Sequence, residues 1–237
     1  MRHKKKYFIL LCLGVSIILI IALLSYHEVD NSLTAEDQQY IVKYLEGIPA
    51  LSEKGTYDNE LDIIIQVQNS VISKTVHKDV LPLGTEREPK DIFLTKAGLC
   101  YDRSRTIEKI LRYIGFQTRH ISIYSTKKTR SAIKSLITIG IPSHAVTEVL
   151  TKKGWLVVDS NNLWVSTDSI DNPVSMAQIK LSTEGSKNIS WNQKPPNSIY
   201  ENPFTFIYGL YSRHGKFYPP YNFIPDVNYK ELVHNIL

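Results

Sequence analysis

GLCYDRSRTIEKILRYIG, residues 98–115, is the stretch on which the fold turns. Ile107, Ile110, Leu111 and Ile114 fall at i, i+3, i+4 and i+7, the apolar stripe of an amphipathic helix, and Gly115 supplies its C-terminal stop. Cys100 stands at the helix start, two residues after Gly98. Unpaired amide donors and the helix dipole at such a position favour the thiolate, which is the nucleophilic form. The same amides can hold an oxyanion once that thiolate has attacked a carbonyl.

A cysteine nucleophile needs a base, and the base needs a group to orient it. Downstream of the helix the period changes, and Phe116 to Tyr124 reads as a strand. Ser125 to Ser143 is an insertion of undetermined structure. His144 to Leu150 and Trp155 to Asp159 then read as two strands joined through Lys152, Lys153 and Gly154. In an antiparallel pair the first residue of one strand lies near the last of the next, which brings His144 to Asp159. Packed beside the Cys100 helix, this hairpin completes a Cys–His–Asp triad.

Upstream, Thr34 and Asp37 form a capping box for a helix carrying Ile41, Val42 and Leu45, and Gly47 and Pro49 stop it. Asp58 is the expected cap of a second helix with Leu61, Ile64, Ile65, Gln68, Val71, Ile72 and Val76 on its inner face. Leu81 to Arg87 reads as a loop, and Pro89 opens a short helix expected to end at Gly98.

AGLCYDRSRTIEKILRYIGFQTRHISIY (97–124) and SHAVTEVLTKKGWLVVDS (143–160) together resemble the transglutaminase-like superfamily of papain-type thiol enzymes. The resemblance rests on an ordered set: Gly98, Cys100, Asp102, Gly115, Arg119, His144, Gly154, Trp155 and Asp159. It covers residues 90–160 well. It implies an α+β papain-like core with helices on an antiparallel sheet, and an acyl-transfer cycle with Cys100 as nucleophile, His144 as general acid and base, and Asp159 as the group orienting His144. It also implies two oxyanion donors, the Cys100 backbone amide and a side chain on a preceding helix, for which Gln66, Gln68 and Asn69 are the candidates.

Each residue also has an ordinary structural reading. A lone cysteine is more often a small buried hydrophobe. His144 alone is a strand-end residue, and Asp159, followed by Ser160, Asn161 and Asn162, is a turn residue. Asp102 suits the first turn of a helix. Arg119 pairs with an acid or faces solvent, His120 is structural, and His77 and His214 have no evident partner.

The 237 residues carry 28 Lys+Arg against 23 Asp+Glu, a net of +5. Arg2, Lys4, Lys5 and Lys6 hold four of these positives, and without them the balance is 24 against 23. That argues against a nucleic-acid partner. Two cysteines exclude a disulfide framework and a Cys-rich zinc site, and no cofactor or metal is expected. Tyr7 to Leu24 is uncharged and apolar, and with residues 1–6 as its basic cytoplasmic flank it reads as a transmembrane signal anchor that leaves the domain outside the cytoplasm. The transglutaminase-like domain is placed at residues 30–180. Residues 181–237 are a Pro- and Tyr-rich extension packed on it, since six of the eleven prolines and six of the fourteen tyrosines lie between Pro195 and Tyr229.

Two functions compete. One is a membrane-anchored thiol enzyme that cleaves or transfers an amide in a protein, peptide or wall-like polymer. The other is a catalytically silent binding module of the same fold in the cell envelope.

Overall fold

The computed structural model describes residues 2–49, 55–82, 84–212 and 225–236, without the side chains of residues 2–5, 8 and 9. His214 and the part of the extension between residues 213 and 224 lie outside the described residues.

Helix α1 (Arg2–Tyr26) is followed by α2 (Ala35–Tyr44) and α3 (Tyr57–Lys74). Thr34 caps α2 through the expected box with Asp37. α3 starts earlier than expected, because Thr56 rather than Asp58 makes the capping box, with Asn59 as its partner. Its inner face turns accordingly: Ile63, Ile64, Val67, Gln68 and Val71 are buried, while Ile65 and Val76 are exposed.

A two-residue strand β1 (Val76–His77) precedes α4 (Pro89–Thr95), which Lys96 closes in the left-handed region at φ 52°. Gly98 therefore does not end α4. With Ala97 it forms β2 (Ala97–Gly98), which pairs in parallel with β1 so that His77 lies opposite Gly98. The chain then enters α5 (Cys100–Tyr113).

α5 packs on a four-stranded antiparallel sheet of order β5-β4-β3-β6, built from β3 (Gln117–Ser125), β4 (Ser143–Thr151), β5 (Gly154–Val158) and β6 (Phe204–Tyr208). The strand-to-strand insertion contains a short helix, α6 (Ala132–Ile137). Ile107, Ile110 and Leu111 of α5 join Ile64, Val67 and Val71 of α3 and Val149, Leu156 and Val158 of the sheet in one core. The opposite face packs Ile121, Ile123, Val146 and Val157 against α7 (Met176–Thr183) and Tyr200. Mixed α+β architecture, with helices on an antiparallel sheet, is as the sequence implied. β6 comes from the region set apart by composition as an extension, yet it is a strand of the main sheet.

The polar side of α5 is buried too. Lys109 pairs with Asp37 and Glu88, and Arg105 pairs with Glu88. Pairing of this kind is what allows charged side chains to leave water.

Among the described residues no helix is long and apolar enough to cross a membrane. The apolar side chains of α1 from Leu10 to Leu24 are exposed. Directly after α1 the chain is held by β8 (Asp226–Val227), itself paired with β7 (Leu210–Tyr211). Val227 exchanges backbone hydrogen bonds of 2.9 Å with His27 and Val29, and Asn228 donates to the Val29 carbonyl at 2.9 Å. The last helix is α8 (Tyr229–Leu232).

Candidate active site

Cys100 is the first residue of α5, so its amide has no acceptor within the helix. Two features keep this turn in place. Asp102 accepts from the Leu99 amide at 2.8 Å through one oxygen and from buried Arg87 at 2.8 Å through the other. Gly98 lets Asp102 approach, since a Cβ at Gly98 would lie 2.9 Å from the Asp102 Cβ. The Gly-x-Cys-x-Asp spacing is thus a packing requirement of the turn that presents the thiol. Cys100 itself is only 9% exposed.

His144 is the second residue of β4, and Asp159 follows the last residue of β5. The hairpin turn falls on Lys152 and Lys153, with Thr151 opposite Gly154. Nε2 of His144 lies 2.9 Å from Oδ2 of Asp159, both buried. Cys100 also acts on the ring, favouring its protonated form. Burial opposes a charged imidazole, but the Asp159 carboxylate and the Cys100 contact outweigh it and push His144 up to about 10. Burial likewise opposes the Asp159 charge, yet His144, then Tyr200 and the Asn161 amide, hold that carboxyl below its ordinary range.

Asp159 is at once a turn residue and the partner of His144, one oxygen for each role. Oδ1 accepts from the Asn161 and Asn162 amides at 2.7 and 2.8 Å, and Oδ2 faces His144. Tyr200 also donates to Oδ2, at 2.6 Å. This tyrosine lies in the Pro- and Tyr-rich region and was not singled out from sequence, because a contact across 41 positions leaves no local pattern.

Of the three expected side-chain oxyanion donors, the buried one is engaged elsewhere. Gln68 is buried and spends its amide on the carbonyls of Asp159, Asn162 and Trp164, at 2.7, 3.0 and 2.8 Å. It clamps the Asp159 turn from beneath and has no donor left. Gln66 donates to Asp62 one helical turn away, and Asn69 is exposed. The assignment of Gln68 to an oxyanion hole is therefore corrected.

Arg103, one turn beyond Cys100, is the other residue the sequence did not single out. It is 3% exposed and donates to the Thr75 carbonyl at 2.7 Å and to Asn161 at 3.4 Å, while Nε has no acceptor. Among the described residues no carboxylate forms an ion pair with it. Burial lowers its affinity for the proton, and the negative fields of Cys100, Asp102 and Asp159 act against that. His77, opposite Gly98, is held below its usual value by burial, then by Arg103 and His144. Away from this centre, Arg119 pairs with Glu148 at 2.7 Å between the rings of Trp155 and Tyr208, and His120 is buried against Tyr211. A cavity of about 290 Å³ is lined by Ser125, Lys127, Pro142, Ser143, the segment 197–199 and Asn202.

A helix-start thiol against a buried imidazole–carboxylate pair is an arrangement suited to acyl transfer. Residues 50–160 match the family described as the Transglutaminase-like superfamily, a span that contains Cys100, His144 and Asp159. No curated protein sequence matches the chain. Among solved structures, one from Cytophaga hutchinsonii, provisionally named a cysteine protease, is similar at 11% identity and a TM-score of 0.41. The similarity covers 74% of this chain and 48% of that one, so the chain spans about half the length of the solved protein.

Proposed function

We propose that the protein is a membrane-anchored thiol enzyme of the transglutaminase-like superfamily that cleaves or transfers an amide through a thioester. The observation carrying this reading is the buried 2.9 Å contact between His144 and Asp159, on a ring whose protonated form Cys100 also favours. In the first half-reaction the Cys100 sulfur forms a bond to the substrate carbonyl carbon. His144 then delivers its proton to the nitrogen as the C–N bond breaks. In the second, His144 takes a proton from water or an acceptor amine as that nucleophile attacks the thioester, and Cys100 leaves. Asp159 keeps the ring oriented, Tyr200 positions Asp159, and the Cys100 amide is the donor available to the oxyanion.

Tyr7–Leu24 is the proposed anchor, with the basic flank in the cytoplasm and the domain outside it, facing protein, peptide or wall-like amide substrates. A silent binding module is the second reading. It is favoured by one observation, that Gln68, the buried candidate for a second oxyanion donor, has its amide engaged by three carbonyls.

Mass spectrometry of the protein after incubation with amide donors separates the two. An acyl adduct on Cys100, absent from Cys100→Ala, supports the enzyme and identifies the donor. Alkylation of Cys100 no faster than a free model thiol, together with full cellular function of Cys100→Ala, sinks it.

A further inference from the structure

The insertion between β3 and β4 presents an apolar edge to solvent. Ile133 and Ile137, one helical turn apart on α6, are 74% and 71% exposed, and Ile139 just beyond is 73% exposed. These exposures do not come from a slack loop. Ser135, on the inward side of α6, is fully buried and donates to the Ser125 carbonyl at 3.0 Å, while Thr129 bonds its hydroxyl. The Arg130 amide closes on the Thr126 carbonyl, and the Thr126 amide donates to Pro203. Leu136 packs inward against the group containing Cys100, Tyr124 and Ile141. The short helix is therefore pinned with its isoleucines outward, at the rim of the proposed active site.

Charge accompanies the apolar edge. Lys127, Lys128, Arg130 and Lys134 are all exposed, and residues 125–143 contain no Asp or Glu. Among the described residues none of these four cations joins an ion pair. Clustered apolar tips ringed by unpaired cations complement the acyl boundary and headgroups of an anionic bilayer.

We propose that residues 126–142 dock on an anionic lipid surface, with Ile133, Ile137 and Ile139 entering the headgroup–acyl boundary and the four cations meeting lipid phosphates. The cavity of about 290 Å³ shares Lys127 and Pro142 with this segment, and Leu136 of the same segment packs in the group that contains Cys100. On the thiol-enzyme reading, the amides that reach it are those presented at the bilayer surface.

Hydrogen exchange of the amides of residues 131–139 tests docking without reference to activity. The full chain is reconstituted in phosphatidylcholine vesicles with and without phosphatidylglycerol. Exchange is expected to slow by at least about fivefold, the worth of one cation at an anionic surface, only with the anionic lipid. Lys127→Glu with Lys128→Glu, or Ile133→Ser with Ile137→Ser, should abolish the protection while leaving thermal unfolding unchanged, since these side chains are exposed. Equal exchange in both vesicle types overturns the proposal. Protection that appears without vesicles and grows with protein concentration also overturns it, because a second copy then covers the patch.

Discussion

The hydroxyl of Tyr200 and Nε2 of His144 converge on a single atom, Oδ2 of Asp159, at 2.6 and 2.9 Å. With Oδ1 taken by the Asn161 and Asn162 amides, the carboxylate has no freedom to rotate away from His144. Tyr200→Phe removes one donor and keeps the ring that packs on Trp164. Urea unfolding should show a loss of about 1.5–3 kcal/mol, the worth of a hydrogen bond to a charged group. If Tyr200 positions Asp159, the variant should also shift the pH profile of turnover, which loss of stability alone does not do.

Gln68→Leu tests the reassignment of that residue. It leaves the Asp159 carbonyl without its donor, while the Asn162 and Trp164 carbonyls keep the amides of Trp164 and Asp159, and about 1–3 kcal/mol is expected for the one group left unsatisfied. Chemical denaturation should show a loss of stability of that size. Acylation of Cys100 by an amide or ester donor, measured well below the midpoint, should fall by much less than the loss of about a hundredfold or more that removing an oxyanion donor causes.

The buried His144–Asp159 pair makes stability depend on pH with a definite sign. His144 is raised to about 10, so its contribution is complete below the unfolded value of about 6.5 and is lost as pH rises through about 10. Asp159 is lowered, so its contribution is present above about 3.9 and is lost as pH falls through the folded value. Both describe one interaction, counted once. The stability gap between wild type and His144→Gln should be widest between about pH 4 and 6.5 and narrow on either side.

Arg103→Met removes a buried cation one turn from the thiol. Rates with two alkylating reagents report its field, because iodoacetate is an anion and iodoacetamide is neutral. The variant should lose more rate with iodoacetate than with iodoacetamide. An equal loss with both reagents would assign Arg103 to holding Thr75 and Asn161 in place.

What could be read in the sequence follows the range of the interactions. Cys100, Ile107, Ile110 and Leu111 were legible because one helix encodes its own period. His144 and Asp159 were legible because a two-residue turn sets their distance without help from the rest of the chain. Gln68 stood on the expected inner face of α3, but its acceptors are more than ninety positions away, so its part in holding the Asp159 turn was invisible. Arg103, Arg105 and Lys109 lie off the apolar stripe of their helix, and nothing local marks them as buried. Their burial depends on Thr75, Glu88 and Asp37, which tertiary packing supplies. Tyr200 and β6 were hidden by composition, since proline and tyrosine content does not reveal that a segment ends as a strand of the main sheet.

The clamp on residues 27–29 leaves no slack between α1 and the domain. α1 ends at Tyr26, and Glu28 is already bridged to Val227. With α1 embedded as proposed, the catalytic body works at a fixed height and stance above the bilayer, like a tool on a rigid mount. Anything it modifies must come within one domain's breadth of the lipid. Loosening the contacts of Val227 and Asn228 to residues 27–29 would turn that mount into a swivel.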